Sequence, residues 1–129
     1  MTLKRFEDIE AWKKARELSK RIHSISGEGI FSRDFELRGQ IRSAAGSIMD
    51  NIAEGFERDG TKEFILFLSY SKGSAGEVKS QLYRALDNKY ISEETFNNLY
   101  NNVDEISKMI KGLIGYLKKS DYKGTKFKT

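Results

Sequence analysis

The chain has 129 residues and a mass of 14.8 kDa, with 38% hydrophobic and 33% charged residues, which suits one domain with a real core. Cysteine is absent and histidine occurs once, as His23. That excludes disulfides, thiolate catalysis and zinc knuckles, most histidine-ligated metal sites, and the usual Ser-His-Asp triad. No proline occurs in the sequence, so long uninterrupted helices are expected. The longest apolar run, Phe64 to Leu68, is five residues, far short of a membrane span. The opening residues Lys4, Arg5, Glu7 and Asp8 show no secretory pattern, so a cytoplasmic, all-helical protein with no membrane partner is the expectation.

The net charge is +4 and the pI about 9.2. Residues 118–129 carry five lysines and one acid, so the net basicity is numerically that of this terminal stretch. The remainder is neutral overall, with basic and acidic segments alternating. An oligomer could still gather the basic segments into one field.

Periodicity predicts four helices in chain order. The first spans about residues 6–26, with Ile9, Trp12, Ala15, Leu18, Ile22 and Ile25 facing inward. The second spans about 35–54, with Leu37, Ile41, Ala44, Ile48 and Ile52 inward. The third covers 61–87, where Phe64, Leu68, Ser71, Ala75, Val78, Leu82 and Ala85 follow alternating steps of four and three; Thr61 is its expected cap. The fourth covers 92–117, where Phe96, Leu99, Val103, Ile106, Ile110, Leu113 and Leu117 form a heptad seam. There Ser92 supplies an N-cap, with Glu93 and Glu94 at the positive end of the helix dipole. Breaks fall at Gly27-Glu28-Gly29, between Gly55 and Gly60, and around Asp87-Asn88-Lys89. Connections this short make successive helices antiparallel neighbours. The expected architecture is an all-α, antiparallel up-down four-helix bundle over residues 1–117, followed by a basic C-terminal tail, 118–129.

Small residues lie off the apolar seams. The third helix carries Ser69, Gly73, Gly76 and Ser80, and the second carries Gly39, Ser43, Gly46 and Ser47. Glycine inside a helix costs about 1 kcal/mol relative to alanine, so this spacing calls for a cause. Two remain open from sequence: tight packing inside one bundle, or a subunit interface built on these helices. Asn51 and Glu54, near the end of the second helix, carry a similar choice. A polar side chain beside an apolar seam fixes register or assembly, or it meets a ligand.

The sequence offers little for catalysis. A di-iron bundle needs Glu-x-x-His pairs, and the residue three before His23 is Lys20. Gly55 to Lys62 resembles a phosphate-binding loop only superficially, because Thr61 precedes Lys62 and the preceding segment is helical. Asp50 and Glu54, one turn apart, give the weak suggestion of a divalent cation and hence of a metal-dependent nuclease. The expectation is no enzyme, no cofactor and no metal. Nucleic-acid binding is better supported. Lys13, Arg16 and Lys20 share a face of the first helix near Lys14; Arg38 and Arg42 lie a turn apart on the second; Lys72 and Lys79 lie two turns apart on the third. The tail interleaves Lys118, Lys119, Lys123 and Lys126 with Tyr122 and Phe127, a mixture suited to phosphates and unpaired bases.

Four blocks of residues carry a family resemblance. Gln40 to Ile48, then Asn51-Ile52-Ala53-Glu54-Gly55 and Arg58, resembles the signature of the 23S rRNA intervening-sequence proteins, a four-helix-bundle, ribosomal-protein-like family. Lys62-Glu63-Phe64, Phe67-Leu68 and Gly73-Ser74 with Glu77 resemble its second block. Phe6, Trp12, Lys14 and Ala15 resemble its opening, and Tyr90 to Glu94 the turn into its last helix. The resemblance covers about residues 4–117. It implies a small antiparallel bundle assembling into a homopentamer. It also implies a bacterial source and a relation to accessory proteins of diversity-generating retroelements, in which a basic pentamer binds nucleic acid and a reverse transcriptase. Ser43 stands where many members have a second basic residue, and Lys72 where arginine is common.

The reading that follows is a non-enzymatic homo-oligomer that binds rRNA or DNA through basic faces. Lys13, Lys14, Lys20, Arg42 and Lys72 are the expected phosphate contacts, helped by Lys118, Lys119, Lys123 and Lys126. Gly39, Ser43, Gly46, Asn51, Glu54, Ser69, Gly73, Gly76 and Ser80 are assigned to the oligomer interface. The rival is a protein-protein scaffold or accessory subunit, for example of a reverse transcriptase, with no direct nucleic-acid contact.

Overall fold

The apolar seams read from the sequence close on one another in the computed structural model, which describes residues 3–122. Four α-helices are present, α1 (Glu10–Ser26), α2 (Phe35–Glu57), α3 (Thr61–Asp87) and α4 (Glu93–Tyr122), with 3-10 turns at Phe6–Asp8 and Gly29–Arg33. The described residues contain no strand. Each helix packs on its neighbours in sequence, and α1 also packs on α4, so the apolar stripes share one core. Every seam residue expected in α3 and α4 is buried, as are those of α2. In α1 the core is built by Ala11, Ala15, Leu18 and Ile22, whereas Trp12 and Ile25 are only half-buried. No helix among the described residues is long and apolar enough to cross a membrane.

The helix ends depart from the sequence reading for local reasons. Phe6 to Asp8 form a 3-10 turn and Ile9 is extended (φ −78°, ψ 120°), so α1 starts at Glu10 rather than at residue 6. The ring of Phe6 meets Trp12 edge-on at 5.1 Å and covers the start of the helix. The cap of α3 is Gly60 rather than Thr61: its φ of 106° is open to glycine and strained for other residues, while Thr61 is buried as the first helical residue. Ser92 caps α4 as expected, its Oγ accepting from the Thr95 N–H at 3.1 Å. The last helix continues to Tyr122, so Lys118 and Lys119 lie on it rather than beyond it.

Gly55 does not break α2, which runs three residues past the expected end to Glu57. It is buried, and a Cβ there would lie 2.6 Å from the Phe67 Cβ and 3.2 Å from the Phe64 ring. The missing side chain lets α3 lie against the backbone of α2. Polar bonds continue that contact. Ser71 Oγ donates to the Ile48 carbonyl at 2.7 Å and Ser74 Oγ donates to Ser47 Oγ at 3.0 Å, while within α2 Asn51 Nδ2 donates to the Ser47 carbonyl at 2.9 Å.

At the other end of α3, Lys89 adopts a left-handed conformation (φ 61°), and the N–H groups of Tyr90 and Lys89 close back on the carbonyls of Ala85 and Leu86. This is a Schellman ending. It sets Tyr90 against the buried Phe31 ring at 5.1 Å and lets its hydroxyl donate to Asp34 Oδ2 at 2.8 Å. The other carboxylate oxygen of Asp34 accepts from the Leu37 N–H at 3.0 Å and caps α2. One carboxylate thus joins the start of α2 to the α3–α4 turn.

Two expectations test these contacts. Gly55→Ala forces Phe64 and Phe67 off α2 and lowers stability by about 1–3 kcal/mol in chemical denaturation, the usual cost of overpacking. The Leu37 N–H, and after it the Tyr90 hydroxyl, holds the Asp34 carboxyl below the ordinary carboxylate range. Its contribution is complete above that range and is lost as pH falls through the lowered value. The stability gap between wild type and Asp34→Ala is therefore constant near neutrality and closes below about pH 4, where ordinary aspartates protonate.

Candidate nucleic-acid and assembly surfaces

The basic residues divide into those with a partner and those without. Lys13 reaches Glu10 at 3.5 Å, Lys20 reaches Glu17 at 3.6 Å, and Lys14 crosses to Glu105 of α4 at 3.7 Å. Exposed pairs of this kind add little stability. They do place a carboxylate beside each cation, so the outer face of α1 alternates in sign. Arg42 is half-buried. Its Nε donates to the buried Ser26 Oγ at 2.8 Å and its Nη2 to the His23 carbonyl at 3.0 Å, satisfying a C-terminal carbonyl of α1. Arg38 likewise turns onto the Ser32 carbonyl at 2.9 Å and over the Phe35 ring at 4.8 Å.

A different group is free. Lys79 Nζ meets Asp104 at 2.8 Å and lies over the Tyr100 ring, while Tyr83 meets Phe96, so partner numbers on α3 fall as those on α4 rise. One heptad back from Lys79 is Lys72, and one and two heptads on from Asp104 are Lys111 and Lys118. Each heptad advances about 10.5 Å along a helix, so Lys72 and Lys111 share a level on the outer α3–α4 seam. Lys72, Lys111, Lys118 and Lys119 are exposed and have no ion-pair partner among the described residues. At the near end Lys79 and Lys108 flank Asp104, whose carboxyl the Lys79 and Lys108 bonds hold below its ordinary range. The sequence reading missed Lys111, because single-helix spacing does not connect it with Lys72. The α4 seam offset from Asp104 is the signal that does. Lys123 and Lys126 lie outside the described residues.

The small-residue stripes also resolve. A Cβ added at Gly39, Gly46, Gly73 or Gly76 meets nothing within 4 Å, and Ser43, Ser69 and Ser80 are exposed. Packing within this chain therefore does not account for them. Gly39 and Ser43 border a groove of about 340 Å³ between α2 and α3, lined also by Gln40, Ala44, Ser47 and, from α3, Glu77. The outer stripe of α3 adds Leu66, Tyr70 and Tyr83, and Phe35 at the start of α2 is 70% exposed. Asn51 and Glu54 look elsewhere. Asn51 is half-buried and bonded to Ser47, while Glu54 pairs with Arg58 at 2.8 Å and raises the guanidinium pKa. Among the described residues no group of three or more histidine, aspartate or glutamate side chains is placed to hold a metal ion, and Asp50 stands exposed on α2.

This division predicts opposite outcomes for two charge removals. Arg42→Gln removes the two bonds that tie α2 to the end of α1, leaves the Ser26 hydroxyl and the His23 carbonyl with only their mutual 3.3 Å bond, and lowers stability by about 1–2 kcal/mol in urea unfolding. Lys72→Gln leaves stability within about 0.5 kcal/mol of wild type.

Comparison with known proteins agrees with the helical architecture. A solved structure described as a protein with unknown function from the S23 ribosomal protein family of Bacteroides thetaiotaomicron has a similar fold, with a TM-score of 0.76 and 24% identity over 81% of this chain and 95% of that chain. No curated protein matches the sequence. The family model for the 23S rRNA-intervening sequence protein matches residues 7–112, and on that match the chain belongs to this family.

Proposed function

We propose that the protein is a non-enzymatic, up-down antiparallel helical bundle that assembles with copies of itself and binds nucleic acid, rRNA or DNA, through lysines on the α3–α4 seam. The opposed numbering of paired residues supports the antiparallel path: Ser74 meets Ser47 where Arg84 meets Gln40, and Lys14 meets Glu105. The observation that carries the binding reading is the set of unpartnered cations Lys72, Lys111, Lys118 and Lys119 at one end of that seam. An array of free lysines is what a phosphate backbone requires, because each neutralised phosphate releases condensed counterions. The family description adds rRNA as the natural first ligand to test.

Assembly rests on the stripes of α2 and α3. Four helical glycines that face open space are costly in a lone subunit and let the backbone of a neighbouring helix approach closely. A homopentamer is the stoichiometry that the family resemblance implies. The pairing of Lys13, Lys14 and Lys20 with carboxylates favours a second reading on α1, where the basic groups balance local acids and the surface serves as a protein-protein scaffold.

Light scattering coupled to size exclusion, with and without a structured rRNA fragment, tests both parts. The expected result is an oligomer that shifts with RNA at low salt and releases it as salt rises. Removing Lys72, Lys111 and Lys118 together lowers the salt slope of log K by about two to three, at roughly 0.7–0.9 for each phosphate no longer neutralised. An oligomer indifferent to RNA at low salt leaves the scaffold reading, and a monomer overturns assembly through the α2 and α3 stripes.

A further inference from the structure

A mainly apolar pocket of about 360 Å³ lies between the N-terminal turn, the start of α1 and the later part of α4. Ile9, Met109 and Leu113 line it, and Asp8 and Glu10 bring carboxylates to it. Gly112 also borders it, and a Cβ there would meet nothing within 4 Å, so that position of α4 leaves the opening unfilled. Asp8 pairs with Arg5 at 3.4 Å and Glu10 with Lys13 at 3.5 Å, both across exposed surface. Such pairs add little stability and yield to a better-placed cation. An apolar hollow edged by carboxylates suits an aromatic ring accompanied by cations.

The start of α2 offers such a group. Phe35 is its first residue and, at 70% exposure, the most exposed large apolar side chain among the described residues. Arg38 lies over its ring at 4.8 Å, and Arg33, two residues before it, is exposed with no ion-pair partner among the described residues. Gly39 and Gly46 follow four and eleven residues on, on the same face of the helix, so the ring continues the open stripe of α2. A phenyl ring carries large apolar area, and the pocket volume accommodates one. Phe35 cannot fill the pocket of its own chain. The pocket lies at the Glu10 end of α1, about 24 Å from Ser26 at 1.5 Å per residue. Arg42 binds at the Ser26 end, and Phe35 is only two turns of α2 from Arg42.

We infer that Phe35 of one copy of the chain seats in this pocket of a second copy, with Arg33 and Arg38 set against Asp8 and Glu10. The inference rests on the self-assembly proposed above and names the contact that makes it. Ring and pocket are different surfaces, so the contact is head to tail: each copy gives one ring and receives one. The opposite charges on the two sides fix the orientation in which the copies dock. The glycines beside Phe35 let the backbone of α2 follow its ring close to the neighbour.

Photocrosslinking of the full chain tests this contact. p-Benzoylphenylalanine in place of Phe35 keeps an aromatic ring there and, on irradiation, bonds to C–H groups in contact with it, methionine methyls above all. A mixture of isotope-labelled and unlabelled chains is irradiated, and mass spectrometry of the digest maps the bonds. The expected product joins position 35 of one copy to Met109 or Leu113 of another, and Gly112→Leu, which fills the opening, removes it. Phe35→Ala alters an exposed side chain and leaves the fold intact. In light scattering over a dilution series it raises the dissociation constant about tenfold or more, the range of a buried interface anchor. An oligomer in which position 35 bonds within its own chain or to any other surface of a neighbour overturns this contact and leaves assembly standing. So does one in which Phe35→Ala associates as tightly as wild type. A wild-type chain that stays monomeric at every concentration overturns both.

Discussion

The connection from α2 to α3 is three residues, Arg58 to Gly60, and it depends on Gly55 leaving room for Phe64 and Phe67. Without that room the first turns of α3 would stand away from α2, and the serine bonds further along would lose their register. Ser71 reaches Ile48, and Ser74 reaches Ser47 only while the two backbones remain close. The core follows from the same approach, since Ile48, Ile52, Phe64 and Leu68 are all fully buried. The outer stripes are the opposite face of those two helices, so their exposure is a geometric companion of the inner contact.

Charged side chains serve two separate ends. Those at helix junctions hold the frame. Arg42 closes the C-terminus of α1 from α2, Asp34 caps α2 and accepts from Tyr90, and Arg84 crosses to Gln40 at 2.9 Å. Lys72, Lys111, Lys118 and Lys119 on the α3–α4 seam pair with no acid among the described residues. Sequence proximity does not separate these classes. Arg42 and Lys72 look equally available in the chain, yet one bridges two helices and the other points into solvent.

The legible part of the fold was periodic. The α4 seam, from Phe96 to Leu117, appears as a three-four repeat because an α-helix with one buried face demands it. The sequence reading failed where burial comes from a single residue outside any period. Leu3 and Phe31 are buried from irregular segments, and Gly55 is buried by the absence of a side chain. Helix ends were also poorly marked, because the polar residues Lys118 and Lys119 extend α4 without adding to its apolar pattern. For the candidate site, the cations were visible but their partners were not. Lys14 with Glu105 is a contact between the first and last helices, and only the packed structure brings those residues together.

The packing order has a kinetic consequence. Helices adjacent in sequence lie side by side, and only the contact of α1 with α4 joins the two ends of the chain. Loop-closure entropy is therefore small for three of the four helix pairings. Topologies dominated by such local contacts belong to the class that folds in about microseconds to milliseconds. A chain with no proline also lacks the prolyl isomerisation that delays many refolding proteins by about 10–100 s. A chain of this design folds quickly on its own, so in the assembly proposed above the concentration-dependent encounter between copies, rather than folding, would set the pace.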